Sequence, residues 1–154
     1  MIETDATNCM NLPVEAFERD APMRINRTAL RRDSGGPGQY RGGLGFEREY
    51  EVLAGEVSFT HRGERHYCPP SGGEGGEAGA LAKTVIHRAN GAAEEVPSKL
   101  VTTLYPGDRV LIQTAGGGGY GPTAERNPSA VRSDVANGKV SPEQAEEAYK
   151  GAEL

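Results

Sequence analysis

The sequence predicts a mostly β fold of the α+β class, with antiparallel hairpins joined by glycine-rich segments and followed by two short C-terminal helices. Three observations carry this expectation. Runs of alternating apolar and polar residues recur between positions 23 and 114, the pattern of strands that show one face to a core and the other to water. Sixteen of the 22 glycines fall in three blocks, Gly35 to Gly45, Gly72 to Gly79 and Gly116 to Gly121. Beyond residue 122 the alternation gives way to helix caps and stops. The chain therefore divides into an extended lead-in (1–22), a β-rich glycine-cluster module (23–122) and a helical tail (123–154).

Each element has a local reason. The lead-in is polar and aperiodic. Met23 and Ile25 alternate with Arg24 and Asn26, which suggests a short strand before the first glycine block. Phe46, Arg48, Tyr50 and Val52 alternate with Glu47, Glu49 and Glu51, and Val57, Phe59 and His61 alternate with Glu56, Ser58 and Thr60. Ala54-Gly55 between these two runs makes a hairpin the expected connection. Lys83 to His87 is a further short strand. Leu100 to Tyr105 and Arg109 to Thr114 flank Pro106-Gly107-Asp108, where proline presets the first corner of a turn and glycine the second, so a second hairpin is expected. In the tail, Asn127 caps a helix with Pro128 at its first position and Gly138 as its stop. Ser141-Pro142-Glu143-Gln144 has the form of a capping box, with Val140 and Ala145 placed as its hydrophobic staple. Helices this short fall below the roughly 12 to 15 residues needed in isolation, so they must dock.

Composition narrows the function classes. The chain has 154 residues, a net charge of -5, 36% hydrophobic residues and no Trp, which describes one domain with a thin core. The negative charge gives no electrostatic basis for nucleic-acid binding. No apolar run reaches the roughly 18 residues of a membrane helix, and two cysteines form neither a CxxC motif nor a disulfide framework. A cytoplasmic setting is the expectation. The arginines concentrated between Arg24 and Arg48 read as a salt-bridged or solvated strand surface.

Four consecutive glycines, Gly116, Gly117, Gly118 and Gly119, followed by Tyr120 and Gly121, are nearly all backbone. Their N–H and C=O groups need partners, so an ordered run implies close approach to a ligand, another chain or another backbone segment. The alternative is a mobile linker. Phosphate-loop spellings fail: no glycine is followed by the Lys-Ser/Thr pair, and Gly36-Pro37-Gly38 has Arg41 where a dinucleotide loop needs its third glycine. His61, His66 and Cys68 lie close in sequence, with His87 or Cys9 as further donors, but their spacing matches no zinc signature. Solvated or hydrogen-bonded histidines are the competing reading. No Gly-x-Ser-x-Gly elbow surrounds a serine.

The residues from Asp33 through Gly36, Gly38, Tyr40, Gly42 and Gly43 to Gly45, followed by Glu49-Tyr50-Glu51-Val52-Leu53, closely resemble the carboxy-terminal part of hydantoinase B proteins. That family groups with oxoprolinases and the acetone and acetophenone carboxylases. The resemblance runs from Thr7-Asn8 and Pro13-Val14-Glu15 through Pro69-Pro70, Leu104 to Asp108 and Gly116 to Gly121 into Asn127-Pro128 and Ser141. It implies a small subunit or terminal module of an ATP-dependent hydantoinase, oxoprolinase-type amidohydrolase or ketone carboxylase, inactive alone. It implies larger hydantoinase A-like and hydantoinase B-like partners in a hetero-oligomer, with ATP and a divalent metal on those partners and no cofactor on this chain. In such complexes an amide or ketone is activated by phosphorylation before hydrolysis or carboxylation. Members are several times longer, and the His and Asp residues implicated in their metal binding precede the matching part, so no catalytic residue transfers. The resemblance further implies that the glycine blocks form a bundle of polyproline-like segments, in which small residues let backbones approach as in collagen. On that reading Gly36, Gly38, Tyr40, Gly42, Gly43, Gly116, Gly117, Gly118, Gly119, Tyr120 and Gly121 are packing or interface positions, with the two tyrosines as covering anchors. A purely structural assembly subunit and a small independent metal-binding protein are the alternatives.

Overall fold

The computed structural model describes residues 12–150. In chain order these form α1 (Val14–Asp20), β1 (Met23–Arg31), β2 (Gly45–Val52), β3 (Val57–Arg62), β4 (Lys83–His87), β5 (Ala93–Glu95), β6 (Lys99–Leu104), β7 (Arg109–Gln113), α2 (Pro128–Ala136) and α3 (Pro142–Ala148). A five-stranded antiparallel sheet has the order β1-β2-β7-β4-β5, and β3 pairs with β6 in a second, two-stranded sheet. The core lies between them. Val52, Ile86, Val96, Leu104 and Val110 are buried there, with Phe59, Leu100 and Ile112 packed around them. The mostly β architecture with C-terminal helices is as the sequence implies.

The two expected hairpins do not form. β2 pairs with β1 and β7, whereas β3 crosses to β6 in the other sheet. The turn at Pro106-Gly107-Asp108 does form: Asp108 N donates to Tyr105 O at 2.9 Å, and Gly107 has φ +87. It is a corner between sheets instead of a hairpin tip. Gly107 N donates to Val52 O (2.8 Å) and Val52 N to Asp108 O (3.0 Å), which tie the corner to the end of β2. The Asp108 carboxylate also accepts from Ala89 N (2.9 Å), Tyr105 N (3.1 Å) and Arg88 Nη1 (3.0 Å). These partners carry β7 alongside β2 and away from β6. Burial opposes the charge on Asp108, but the two N–H donors and Arg88 outweigh it and its pKa is lowered. A tight hairpin does join β4 to β5, with Gly91 at φ +90.

β2 lies inside the sheet, so its glutamates are not simply solvated. Glu47 is buried, 2.6 Å from Arg27 Nη2, and accepts from Gln113 Nε2 at 3.0 Å. Glu51 pairs with Arg24 (2.8 Å) and Glu49 with Arg109 (3.4 Å). Of the early arginines, Arg24 and Arg27 thus meet carboxylates of β2, and Arg109 on β7 completes the ladder. The more exposed Arg24–Glu51 and Arg109–Glu49 pairs contribute about 0–1 kcal/mol each and chiefly favour one register.

The lead-in also differs from expectation over its described part. Residues 14–20 are helical, because Phe17 packs edge-on against Tyr50 (5.6 Å between centroids) and Glu18 accepts from Ile25 N at 2.8 Å. Docking on the sheet compensates for a helix of two turns. Thr7, Asn8 and Cys9 lie outside the described residues.

The tail helices begin where the caps indicate. Asn127 accepts from Ser129 N (2.9 Å), Ser141 Oγ accepts from Gln144 N (3.1 Å), and Gly138 stops α2 with φ +66. The reciprocal half of the capping box is replaced: Ser141 N donates to Asp33 Oδ1 at 2.6 Å. Val131, Val140, Ala145 and Tyr149 form a second small core. Asp134 clamps this tail to the first glycine block, accepting from Arg41 Nε (2.9 Å) and Arg126 Nη2 (2.6 Å), while Arg126 Nη1 donates to Gln39 O (3.3 Å). Burial works against the Asp134 charge, yet Arg41 and Arg126 prevail and its pKa is lowered. Asp134 is 6% exposed, so Asp134→Asn leaves Arg41, Arg126 and the more exposed Lys139 without their counter-charge and is expected to cost about 3 kcal/mol in chemical unfolding. Because the folded pKa is depressed, this contribution is complete above the unfolded value of about 3.9 and disappears as pH falls through the folded one. Acid unfolding of Asp134→Asn should lack that component, and equal stability of variant and parent at neutral pH would refute the clamp.

Candidate functional site: a glycine bundle and its adjoining cleft

The three glycine blocks hydrogen-bond to one another in every pairwise combination. Between the first and third, Gly36 N donates to Gly117 O (2.8 Å), Gly117 N to Gly43 O (2.8 Å), and Tyr40 and Tyr120 exchange both backbone bonds at 2.9 Å. Between the second and third, Gly73 N donates to Gly119 O (2.9 Å), Gly119 N to Glu77 O (2.9 Å) and Gly116 N to Ala80 O (3.1 Å). The first and second are joined through Glu77 N to Pro37 O (2.8 Å) and Ala80 N to Ser34 O (2.9 Å). The result is a closed bundle of three backbones.

Its sequence requirement is steric. A Cβ added at Gly36, Gly38, Gly42, Gly116, Gly118 or Gly119 would lie closer than 3.0 Å to backbone atoms of another block. Gly121 has φ +74 and abuts the Gln39 side chain, a conformation that side-chain-bearing residues rarely adopt. Tyr40 and Tyr120 hold the bundle through their backbones. The two residues are 66% and 54% exposed, and the Tyr120 ring rests beside Gly73.

Beside the bundle opens a cleft of about 660 Å³, lined by the Gly116 and Gly117 backbone and by His61, His66, Thr84 and Ile112. His61 is buried on β3, with its Nε2 3.2 Å from His66 Nε2 and 3.4 Å from Thr84 Oγ1. Burial first, and the adjacent His66 second, lower the His61 pKa. Cys68 is exposed and does not join this pair, and the described residues hold no group of three or more His, Cys, Asp or Glu side chains disposed around an ion. The sequence neighbourhood of His61, His66 and Cys68 is therefore not a three-ligand site. Sequence reasoning missed the roles of Asp33, Asp108 and Asp134. A carboxylate just before a glycine block, and one closing a Pro-Gly-Asp turn, were the available signals; nothing local marks Asp134. No helix among the described residues is long and apolar enough to cross a membrane.

Comparison with known proteins gives a consistent setting. The sequence model of the Hydantoinase B/oxoprolinase family matches residues 1–123. Caprolactamase subunit beta of Pseudomonas jessenii is 35% identical over 136 residues, which cover 86% of this chain and 23% of that subunit. The crystal structure of ATP-dependent caprolactamase from Pseudomonas jessenii superposes with a TM-score of 0.81 at 31% identity, over 91% of this chain and 25% of that one. The nucleotide-free structure of acetone carboxylase gives 0.72 at 25% identity, over 89% and 22%. The chain spans about a quarter of the length of these relatives.

Gly116→Ala and Gly118→Ala drive a methyl group into the carbonyls of Ser34 and Ser71 and should each destabilise the fold by about 3 kcal/mol. Gly73→Ala, which meets only the Tyr120 ring at 3.2 Å, should cost less. Hydrogen exchange reads the bundle directly: the amides of Gly36, Gly117 and Gly119 are expected to exchange slowly and together, and free-peptide rates there would contradict the packing.

Proposed function

Because the chain belongs to the Hydantoinase B/oxoprolinase family, we propose that it is the bundle-bearing module of an ATP-dependent complex that opens a cyclic amide or carboxylates a ketone. The cyclic amide is the favoured substrate class, since the caprolactamase is the more similar of the two structural relatives in both identity and superposition. The observation that carries the reading is the glycine bundle, in a fold that matches a caprolactamase chain over 91% of this one.

Among the described residues, the glycine blocks disfavour a nucleotide, because most of their glycine N–H groups are already engaged. A phosphate at a glycine-rich loop needs free backbone N–H groups, and those of Gly36, Gly73, Gly76, Gly79, Gly116, Gly117, Gly119 and Gly121 already donate to carbonyls within or between the blocks. ATP and its divalent cation are accordingly assigned to larger hydantoinase A-like and hydantoinase B-like partner chains. This chain contributes shape: a glycine-dense bundle of interlocked backbones against which a partner's surface is positioned, and a cleft at its base. A purely structural role in assembly is the second reading, favoured by the engagement of the bundle's polar groups with one another.

The tagged chain is expected to co-purify with at least one larger subunit, visible by native mass measurement. Alone it should neither hydrolyse ATP nor open a hydantoin or lactam ring, while the assembled complex should do so with ATP. Turnover by the isolated chain above that of its Tyr120→Ala variant, or a partner-free monomer that melts cooperatively, would overturn this reading.

A further inference from the structure

We propose that His61 and His66 form a two-imidazole chelate for a divalent first-row transition ion, with Zn²⁺ as the expected occupant and its remaining coordination positions open to the adjoining cleft. The inference is independent of the function proposed above.

Geometry is the first support. Two imidazole nitrogens bound at about 2.0–2.1 Å to a tetrahedral ion lie about 3.3 Å apart, with their ring centroids about 5.2 Å apart. The His61 and His66 Nε2 atoms are separated by 3.2 Å and the ring centroids by 5.2 Å. The rings stand at 75° to each other, so neither stacks on the other, and their Nε2 atoms share a hydrogen bond that a bound ion would replace.

The surroundings fix this arrangement from three sides. His61 lies on the same face of β3 as Phe59, and the two rings stack at 5.9 Å, which restrains the imidazole. Thr84 Oγ1 at 3.4 Å supplies a hydroxyl next to the bound position, able to hydrogen-bond a water on the ion. Gly63 lies between the two histidines in sequence, and a Cβ there would come closer than 3.0 Å to both Nε2 atoms. Its missing side chain is what lets the two nitrogens converge. Imidazole favours zinc, copper, iron and nickel over magnesium or calcium. The cleft that the pair lines leaves room for water or a carboxylate to complete the coordination.

The test uses the full chain together with any partner that co-purifies, stripped with chelator and titrated calorimetrically with Zn²⁺. One saturable site per chain is expected. His66→Gln and Gly63→Ala should each lower the stoichiometry by one, and His87→Gln should leave it unchanged. Co²⁺ should give the visible absorption of a tetrahedral site in the parent protein and not in His66→Gln. If His66→Gln fails to fold, Gly63→Ala decides, because it keeps both imidazoles and only drives them apart. Unchanged stoichiometry in these variants, absence of a saturable site, or its loss in Cys68→Ser would overturn the assignment.

Discussion

Everything in this fold depends on three stretches of backbone approaching more closely than any side chain permits. At Gly36, Gly42, Gly116, Gly118 and Gly119 the place of a Cβ is taken by the main chain of another block. Glycine loses more conformational freedom on ordering than any other residue, roughly 0.5–1 kcal/mol beyond alanine at each position. That cost is offset only when the segments supply one another's hydrogen bonds, each worth about 0.5–1.5 kcal/mol net and expensive if left unmade in a buried place. No block can therefore be ordered by itself. The bundle forms as a unit, with its polar backbone turned inward.

The sheet and the tail are arranged by that unit. The first block runs into β2, the second leads to β4, and the third leaves from β7, so all three strands meet the bundle at one end of the large sheet. β7 lies between β2 and β4 there, and the third block likewise bonds to both of the others. Within the sheet β2 and β4 never touch. Past the strand ends the first and second blocks also join, through Glu77 to Pro37 and Ala80 to Ser34, and a flat three-strand order closes into a triangle. The helical tail then locks the outside: Asp33, just before the first block, caps α3, and Arg41 within the block meets Asp134.

This division of labour explains why the cleft lies where it does. The second sheet, carrying His61 on β3, packs against the face of the large sheet through Phe59, Leu100 and Leu104, while the bundle continues beyond the strand ends. The corner between them is bounded by backbone on one side and by imidazoles on the other. On the proposed reading, a partner chain meets a surface whose shape is set by main-chain geometry and is correspondingly stiff, and the histidine pair adds the ligand chemistry that the bundle lacks.

Local features of the sequence determined what local physics can determine. The glycine blocks, the strand periodicities, the Pro-Gly corner, the Asn127 and Ser141 caps and the Gly138 stop all follow from residue types within a few positions of one another, and each lies where those residues put it. The resemblance of the glycine blocks also pointed to the family. Tertiary structure alone decided the partners. Ala54-Gly55 and Pro106-Gly107-Asp108 are good turn sequences whose flanking strands nevertheless belong to different sheets, because the bundle and the Asp108 network bind β2 to β7 more strongly than a two-residue connection binds neighbours. Likewise Asp33 replaces Gln144 in closing the cap of α3, and Asp134 finds Arg41 across 93 positions. Alternation along a strand specifies which face is buried and says nothing of which strand lies alongside; that choice is made by contacts between segments far apart in the chain, here through hydrogen bonds of a backbone that has no side chains to signal them.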